Sequence, residues 1–504
     1  GRYTGGTFSA PGGNEYSNAM ESYLGRINYD YDRKYYAEAS FRRDGSSKFK
    51  YNKDRWGNFW SVGGGWRISG ENFMESTKHW LDNLKIRASY GLIGNQSGIG
   101  NYASYQTWGY GATYNSTTAG NGIPVSFTLN QGGFVNDGLT WEKTRTLDAG
   151  VDFSLFNRVH GTIDVYNKLT FDAFFNQPIA YSLGQSSILK NAAEIKNSGI
   201  EVELNVDIIK TKDLFWTVSL NGTHYTTVMT DAPDNIGTAE LDGNWTATAD
   251  SWGASGGGSS SGVTYLRGID KDYYNLYMFK YAGVDQNTGL PLFYHKVTEA
   301  DHSKGQFSNI PVGSDTKTTN YSLASRYEFG SAIPDLIGGF STTVRYKNFD
   351  FTGMLSYQLG GKFFSTEYGN NLYLSSNLNS AISSELIGNT WTPENTSAKF
   401  PMVMYGNTYG DGATIGSWMY TDLALFSASY LNIKNITIGY TIPQSTLKKL
   451  GLRNLRMYVS ADNLLMITSH SGIDPRMSLV GGLEVGAYSY PSMRTISFGV
   501  NLDL

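Results

Sequence analysis

Alternation of apolar and polar residues with a period of two is the feature that most constrains how this 504-residue chain can fold. Residues 496–504 carry Ile, Phe, Val, Leu and Leu at every second position, with Ser, Gly, Asn and Asp between them. Residues 147–155 and 200–208 repeat the pattern. A period of two places the two sets on opposite faces of a β-strand. These runs approach the ~10 residues that a tilted strand needs to cross a bilayer, whereas soluble strands average about 5–6.

The composition agrees with long strands and frequent turns. Gly 59 and Tyr 36 are high counts, and charged residues make up 17% of the chain, against roughly 25% in soluble domains. No stretch approaches the ~18 apolar residues of a membrane helix, which excludes a helical membrane protein but not a barrel. The lack of cysteine suits passage through an oxidising periplasm. A net charge of −4 without a basic stripe predicts no nucleic-acid partner.

Turns of unequal length predict a barrel rather than a sandwich. Residues 347–348 form a two-residue turn that keeps Tyr346 and Phe349 on one face, and residues 156–158 and 29–36 form similar reversals. Outer-membrane barrels have short periplasmic turns, long outer loops and aromatic girdles at both interfaces. The alternating segments number about fourteen to sixteen. The predicted long extracellular connections are residues 103–138, 173–198, 227–274, 294–320, 361–423 and 466–490.

Specific strings resemble the SusC/RagA family of TonB-dependent outer-membrane importers of Bacteroidetes. Residues 41–49 (FRRDGSSKF), 55–63 (RWGNFWSVG) and 80–91 (WLDNLKIRASYG) look like segments of that family. Matches continue in the same order over nearly the whole chain. The later segments are 94–95, 99–102, 139–143, 197–201, 284–289, 430–436, 460–464, 490–491 and 494–495.

The resemblance implies an all-β fold, a transmembrane antiparallel β-barrel. This chain would supply about fifteen strands of a barrel of about twenty-two. A signal peptide, a small β-sandwich domain, a TonB-box, a plug and the first strands would precede it in the whole importer. The resemblance also implies location in the outer membrane, a SusD-like surface lipoprotein as a lid, TonB acting through the N-terminal part, and a dimer of such pairs. It implies no covalent chemistry and no cofactor, and its substrates would be oligosaccharides or oligopeptides, with the first preferred.

Aromatic residues among Asn, Asp and Gly in the long connections are the candidate substrate contacts. Flat rings can cover the apolar face of a pyranose while amides and carboxylates bind its hydroxyl groups, and the same mixture suits a peptide backbone. The alternative is that the rings pack within the loops or against a partner protein, and for any single residue that alternative is favoured. The candidates are Trp245, Trp252, Tyr265, Asn370, Asn371, Tyr373, Asp411, Trp418 and Tyr420.

Other patterns have simpler explanations than chemistry. Residues 258–262 match a nucleophile-elbow pattern, but they lie in a flexible Gly- and Ser-rich loop. Asp231, Asp234 and Asp242 fit no EF-hand spacing, so a solvated acidic loop is favoured over a calcium site. The charges at 42–44 are expected to form a rim network at the end of a strand. No metal site is predicted, because the six histidines are scattered at His79, His160, His224, His295, His302 and His470.

Three rival functions remain at the level of sequence. A passive porin would need neither plug nor TonB-box. A siderophore or cobalamin receptor would work without a lipoprotein partner. A soluble β-sandwich adhesin would stay in solution without detergent.

Overall fold

The computed structural model describes residues 15–50, 53–109, 113–114, 123–124, 128–129, 135–179, 187–231, 245–248, 264–372, 382–403, 418, 421–447, 451–470, 472–476 and 492–503. The first strands in chain order are β1 (Met20–Tyr31), β2 (Tyr35–Ser46), β3 (Trp56–Arg67), β4 (Leu81–Asn95), β5 (Trp108–Gly109), β6 (Thr113–Tyr114), β7 (Ile123–Pro124), β8 (Thr128–Leu129), β9 (Glu142–Leu155), β10 (Val159–Pro178), β11 (Ser187–Lys210), β12 (Leu214–Asp231) and β13 (Trp245–Thr248). The next are β14 (Thr264–Arg267), β15 (Asn275–Phe279), β16 (Tyr281–Val284), β17 (Pro291–Lys296), β18 (Asp315–Thr318), β19 (Arg326–Ser331), β20 (Leu336–Tyr346), β21 (Phe349–Leu359), β22 (Lys362–Phe364), β23 (Leu425–Ser427), β24 (Tyr430–Thr441), β25 (Asn454–Thr468) and β26 (Thr495–Asp503).

Helices contribute little to these parts of the chain. The α-helices are α1 (Glu299–Ser303), α2 (Thr366–Asn371) and α3 (Gln444–Leu447). Turns of 3-10 helix span Lys53–Arg55, Ile68–Gly70, Asn72–Thr77, Tyr321–Leu323, Ser384–Leu386 and Asp422–Ala424. Within the described ranges, no helix has the length and apolar character needed to cross a membrane.

One large antiparallel sheet dominates the fold. Its thirteen strands follow the order β1-β2-β3-β4-β9-β10-β11-β12-β20-β21-β24-β25-β26, so each strand pairs with the next wall strand along the chain. In the part of the chain that the structure describes, no ladder joins β26 to β1, and the sheet is open. The predicted all-β barrel architecture is confirmed, and the described residues form thirteen wall strands where about fifteen were expected. Short segments such as β15 and β19 pair in a separate four-stranded sheet and do not join the wall.

Short turns close one end of the sheet, as the sequence predicts. Residues 32–34, 156–158 and 347–348 join β1 to β2, β9 to β10 and β20 to β21. Asp32 and Lys347 adopt positive φ angles of 53° and 52°, which sharp reversals of this kind require. Large aromatic side chains are exposed around these turns, where a membrane-interface girdle is expected. They are Tyr31, Tyr35, Trp80, Phe156, Tyr346 and Phe349.

The other end carries the long connections, with two differences from prediction. Residues 173–198 are mostly strand, because the β10–β11 ladder continues to the pair Pro178 and Ser187. Alanines of this hairpin bury against the segment that follows β12, which explains why the ladder extends so far. Residues 294–320 are not a separate connection but lie inside one insertion, 232–335, between β12 and β20. The sequence could not distinguish these cases, because both contain short alternating runs.

One hydrophobic core lies at the long-connection end of the wall. It is shared by the insertion 232–335 and the connection 360–429. The four-stranded sheet β13-β14-β15-β19, the three-stranded sheet β16-β17-β18 and the pair β22-β23 lie in these two segments. We call the described residues of both segments the loop unit. Its buried side chains include Tyr265, Leu276, Met278, Phe293, Phe364, Leu372, Leu386, Phe400 and Trp418.

Candidate translocation wall and loop unit

The large sheet has one apolar and one polar face, set by the alternation along each strand. On the apolar face, Ile438 is 55% exposed and Phe498 is 81% exposed. Nothing in the described chain covers these side chains, and an uncovered apolar face of this extent fits membrane hydrocarbon. Six side chains that pair in succession across six neighbouring strands illustrate this apolar face, and we call them the apolar row. It consists of Trp216, Val344, Phe351, Ile438, Val459 and Phe498.

A row of hydroxyl side chains lies one residue away from the apolar row, on the polar face. Every member of this hydroxyl row is a threonine or a serine, each paired with the next across the sheet. Thr437 Oγ1 donates to Ser460 Oγ at 3.0 Å, which links two of its strands. The result is an uncharged, hydrogen-bonding band across six wall strands. The row consists of Thr217, Thr343, Thr352, Thr437, Ser460 and Ser497.

The polar face of β4, β9 and β10 is charged instead. Arg87 contacts three carboxylates, with its Nη1 3.5 Å from Asp148, its Nε 3.4 Å from Asp152 and its Nη2 2.5 Å from Asp164. Gly150 lies between Arg87 and Asp164 in the ladder, and a Cβ there would come within 2.7 Å of Arg87 Cζ. Because Gly150 has no side chain, the Arg87 guanidinium can extend across β9 and contact Asp164 on β10.

The same arrangement recurs across β24. Arg456 donates through Nε and Nη2 to the two oxygens of Asp350, at 3.0 and 2.5 Å. Gly439 pairs with Asp350 on β21 and with Tyr458 on β25, and a Cβ on it would lie 2.5 Å from Arg456 Nη2 and from Asp350 Oδ1. Two-point pairing of a guanidinium with a carboxylate is among the stronger charge-assisted contacts. Both pairs join strands that are not direct neighbours, so they hold the wall together on its polar face.

The charges of residues 42–44 form the predicted rim network. Arg42 Nε donates to Asp44 at 2.6 Å, and Arg42 Nη2 donates to Ser22 at 3.3 Å. Asp44 is buried, and Arg43 lies over the Trp56 ring at 5.2 Å. These contacts join β1, β2 and β3 at the end opposite the short turn, which is a structural role.

Two of the candidate substrate residues lie in the core of the loop unit. Tyr265 and Trp418 are 1% and 4% exposed and belong to the core of the loop unit. Their rings contact Tyr274 at 5.8 Å, and Phe400 and Tyr281 at 6.0 and 6.4 Å. The rings of Tyr265 and Trp418 therefore pack inside the loops, which is the alternative that the sequence analysis favoured for any single residue.

The other candidates stay predictions. Trp245 pairs with Arg267 between β13 and β14. Asn370 and Asn371 end helix α2, where the Asn371 carbonyl accepts from Ser383 N at 2.6 Å. Outside the described residues lie Trp252, Tyr373, Asp411 and Tyr420.

A buried arginine that sequence reasoning missed anchors the loop unit. Arg267 is 4% exposed, and its Cζ lies 3.4 Å from the centre of the Tyr273 ring, with Tyr265 and Tyr274 at 5.4 and 5.8 Å. Burial raises the pKa of Tyr273 to about 12, although the nearby guanidinium acts to lower it. Tyr273 N donates to the carbonyl of Thr227 at 2.8 Å, so this cluster joins the insertion to strand β12. In the sequence, only the adjacent tyrosines at 273–274 indicated this arginine–tyrosine cluster.

Glu385 ties three segments of the long-connection end together. It accepts from Tyr368 Oη at 2.8 Å, lies 3.7 Å from Lys399 Nζ and lies 3.3 Å from His470 Nε2. Burial would raise the pKa of Glu385, but the tyrosine hydroxyl and the two basic groups together lower it. The His470 ring also packs against Phe426 at 4.6 Å. The residues directly after β25 thereby contact the loop unit through His470.

A serine, a histidine and an aspartate meet inside the loop unit, in an order that resembles a hydrolytic triad. His295 Nε2 lies 3.0 Å from Asp301 Oδ2, and its Nδ1 lies 3.4 Å from Ser325 Oγ. Thr298 is the N-cap of helix α1, and Asp301 forms the reciprocal capping-box hydrogen bonds with it. The Thr298 hydroxyl lowers the pKa of Asp301. His295 is 4% exposed and Asp301 6%. A buried pair of this kind leaves no room for a substrate carbonyl, so the cluster is structural.

The calcium and nucleophile-elbow patterns, which the sequence analysis disfavoured, lie mostly outside the described residues. Among them, no group of three or more His, Cys, Asp or Glu side chains could hold a metal ion. Asp231 ends strand β12, while Asp234, Asp242 and the motif at 258–262 lie outside the described residues.

Comparison with known proteins agrees with this architecture. Residues 2–288 match the family model "TonB dependent receptor-like, beta-barrel". The chain is 30% identical over 501 residues to "TonB-dependent receptor P3" of Formosa agariphila, covering 97% of this chain and 46% of that protein. It is 28% identical over 518 residues to "TonB-dependent receptor SusC" of Bacteroides thetaiotaomicron, covering 96% and 44%. The chain thus spans about half the length of the curated relatives it matches.

Solved structures give the same result. The structure of the RagAB peptide transporter superposes with a TM-score of 0.73 at 26% identity, covering 97% of this chain and 48% of that one. The 'open-open' state of the RagAB peptide importer gives a TM-score of 0.71 at 25% identity. The chain therefore belongs to the family of TonB-dependent receptor β-barrels, and within that family it is of the SusC/RagA type.

Proposed function

We propose that this chain forms the wall, rim and loop unit of an active importer that moves oligosaccharides across the outer membrane. The chain lies in the outer membrane, with its apolar face toward lipid and its polar face toward the lumen. The short turns then face the periplasm and the long connections face outward.

The hydroxyl row is the observation that carries the substrate class. A row of threonine and serine side chains across six strands offers donors and acceptors without net charge. Such a wall can exchange hydrogen bonds with a sugar rich in hydroxyl groups as it passes. The similarity to a receptor named SusC adds support, because the resemblance to the SusC type implies oligosaccharide or oligopeptide cargo, with oligosaccharides preferred.

An oligopeptide importer of the same type is the second candidate. The observation in its favour is the superposition on structures described as the RagAB peptide transporter. The uncharged hydroxyl row can also form hydrogen bonds with a peptide backbone. Relatives twice as long as this chain support the further proposal that N-terminal strands close the open sheet and that a plug fills it.

The proposed partners follow from the family type. A SusD-like lipoprotein would cover the long-connection end, TonB would act through the plug, and two such pairs would associate. The loop unit offers the folded surface that a lid would contact, since it stands above the wall and has its own core.

Uptake by cells tests the proposal. A strain lacking the gene, complemented with the whole protein, is supplied with labelled neutral oligosaccharides or labelled oligopeptides. We expect saccharide uptake that needs both TonB and the co-expressed lipoprotein. Uptake without TonB would indicate a porin, uptake of peptides alone would favour the second candidate, and neither saccharide nor peptide uptake would reject both.

Variants of the wall refine the test. Replacing Thr343 and Thr352 by Val removes two hydroxyl groups at nearly constant volume. We expect saccharide uptake to fall several-fold. The matched control, Val459→Ile on the apolar row, should leave uptake unchanged. Equal uptake by both variants would show that the hydroxyl row does not contact the cargo.

A further inference from the structure

A cleft lies where the loop unit meets the upper end of the wall. Its volume is about 580 Å³, within the range of sites that hold small ligands. Three segments line it, namely the end of the insertion at 329–335, the start of the next connection at 360–362, and residues 422–427 before β24. All three are well separated along the chain, so only the tertiary structure creates this cleft.

An acid and an amine line the cleft without pairing to each other. Asp335 and Lys362 are both exposed, and the described residues form no ion pair between them. Neither side chain forms a hydrogen bond to another described residue. Asp335 and Lys362 therefore both present polar atoms to the cleft, and the Lys362 ammonium also acts to lower the pKa of Asp422, which lines the same cleft.

A second carboxylate and two rings complete the lining. Asp422 accepts from Tyr281 N through Oδ1 at 2.8 Å, which fixes the orientation of its carboxylate. Burial raises the pKa of Asp422. Phe329 and Phe426 are half-buried and give the cleft apolar surface between its polar groups.

The charges of the lining select among ligand classes. A polyanion would have to approach two carboxylates, and a cation would have to approach Lys362. A neutral sugar avoids both costs, because each hydroxyl group can donate to a carboxylate and accept from an ammonium. Its apolar ring face can rest against a phenyl ring.

We propose that this cleft binds a short run of pyranose units of a neutral oligosaccharide, with Asp335 and Lys362 hydrogen-bonding its hydroxyl groups. The inference rests on the proposed saccharide import and adds a binding site at the outer end of the wall. The cleft would hold cargo before it enters the lumen.

Binding to the whole protein, purified in detergent with its partners, tests the site. The probes are neutral hexasaccharides of glucose, xylose and mannose, a hexameric uronate, and hexapeptides of mixed sequence. We expect the double variant Asp335→Asn, Lys362→Met to weaken binding of the preferred neutral hexasaccharide at least tenfold. The control variant Glu299→Gln, Lys304→Ala changes an exposed acid in helix α1 and the exposed amine directly after it, and should bind within twofold of the unaltered protein.

A charge-reversal variant distinguishes a specific loss of binding from a loss caused by misfolding. Asp335→Lys leaves one acid and two amines in the cleft, so we expect it to gain affinity for the hexameric uronate while it loses affinity for the neutral sugar. Misfolding cannot produce such a gain. If the unaltered protein binds a saccharide and both cleft variants bind it equally well, the cleft assignment is wrong and saccharide import stands. If the unaltered protein binds hexapeptides and no saccharide, both proposals fail.

Discussion

The pair formed by Arg456 and Asp350 across Gly439 supports a quantitative prediction. A Gly439→Ala variant would place a methyl group 2.5 Å from Arg456 Nη2 and from Asp350 Oδ1. Real side chains do not approach this closely, so the two charged groups must separate. Their separation removes two hydrogen bonds of 3.0 and 2.5 Å.

The expected loss follows from the burial of the pair. The two side chains are 25% and 21% exposed, so solvent screens them only in part. A hydrogen bond to a charged group contributes about 1.5–3 kcal/mol, and water recovers some of it at a partly exposed site. Removing a strand glycine returns about 0.5–1 kcal/mol. We therefore expect Gly439→Ala to lower the free energy of unfolding by about 1–3 kcal/mol.

Urea unfolding of the whole protein, refolded in detergent, measures this change. Gly353→Ala is the matched control, because a Cβ at Gly353 meets Phe351 Cζ at an ordinary 3.4 Å and lies on the apolar face. A double-mutant cycle with Asp350→Asn isolates the ion pair. If the methyl group acts by separating the pair, Gly439→Ala should cost clearly less in the Asp350→Asn background.

Two results would refute the reasoning. The first is a Gly439→Ala variant as stable as the Gly353→Ala control. The second is a cycle in which the costs of Gly439→Ala and Asp350→Asn simply add, because additivity would mean that the methyl group does not disturb the pair.

Three further predictions concern the loop unit. Replacing Arg267 by Met removes the buried guanidinium from its tyrosine partners and should destabilise the loop unit by about 2 kcal/mol, measured as faster limited proteolysis of 264–335 while the wall stays protected. The pKa of Asp301 is lowered in the folded chain, so the ionised carboxylate stabilises the fold above the ordinary Asp pKa of 3.8, and this stabilisation is lost as the pH falls through the lowered pKa. Protease cutting near 295–314 should therefore rise below about pH 3.8. The Asp301→Asn variant should abolish that pH dependence. Glu385→Gln weakens the contact with His470 and should cost about 1 kcal/mol, measured as faster hydrogen exchange around His470 with unchanged exchange in β24.

Much of the wall could be predicted from the sequence, because its determinants are local. The alternation at 147–155 and 200–208 specifies strands and faces without reference to any partner strand. The turn at 347–348 sets the register of β20 against β21. The motif segments at 41–49 and 55–63 indicated the family, since they combine strand patterning with particular turn and rim residues.

The loop unit could not be predicted in the same way, because its burial depends on contacts between distant segments. Tyr265 and Trp418 look like exposed ligand contacts in sequence, yet the core joining 232–335 to 360–429 buries both. The same packing creates the cleft between Asp335, Lys362 and Asp422.

The sequence by itself determined that the chain is a membrane-spanning β-wall with a polar lumen face, because a period of two is a property of each strand alone. The tertiary structure decided that thirteen strands form the described wall and that the short strands β13–β19, β22 and β23 belong to the loop unit. It also decided that Arg87 and Arg456 reach past glycines to carboxylates two strands away. The physical reason is that pairing partners and burial depend on residues far apart in the chain, whereas the facing of a strand depends only on its neighbours.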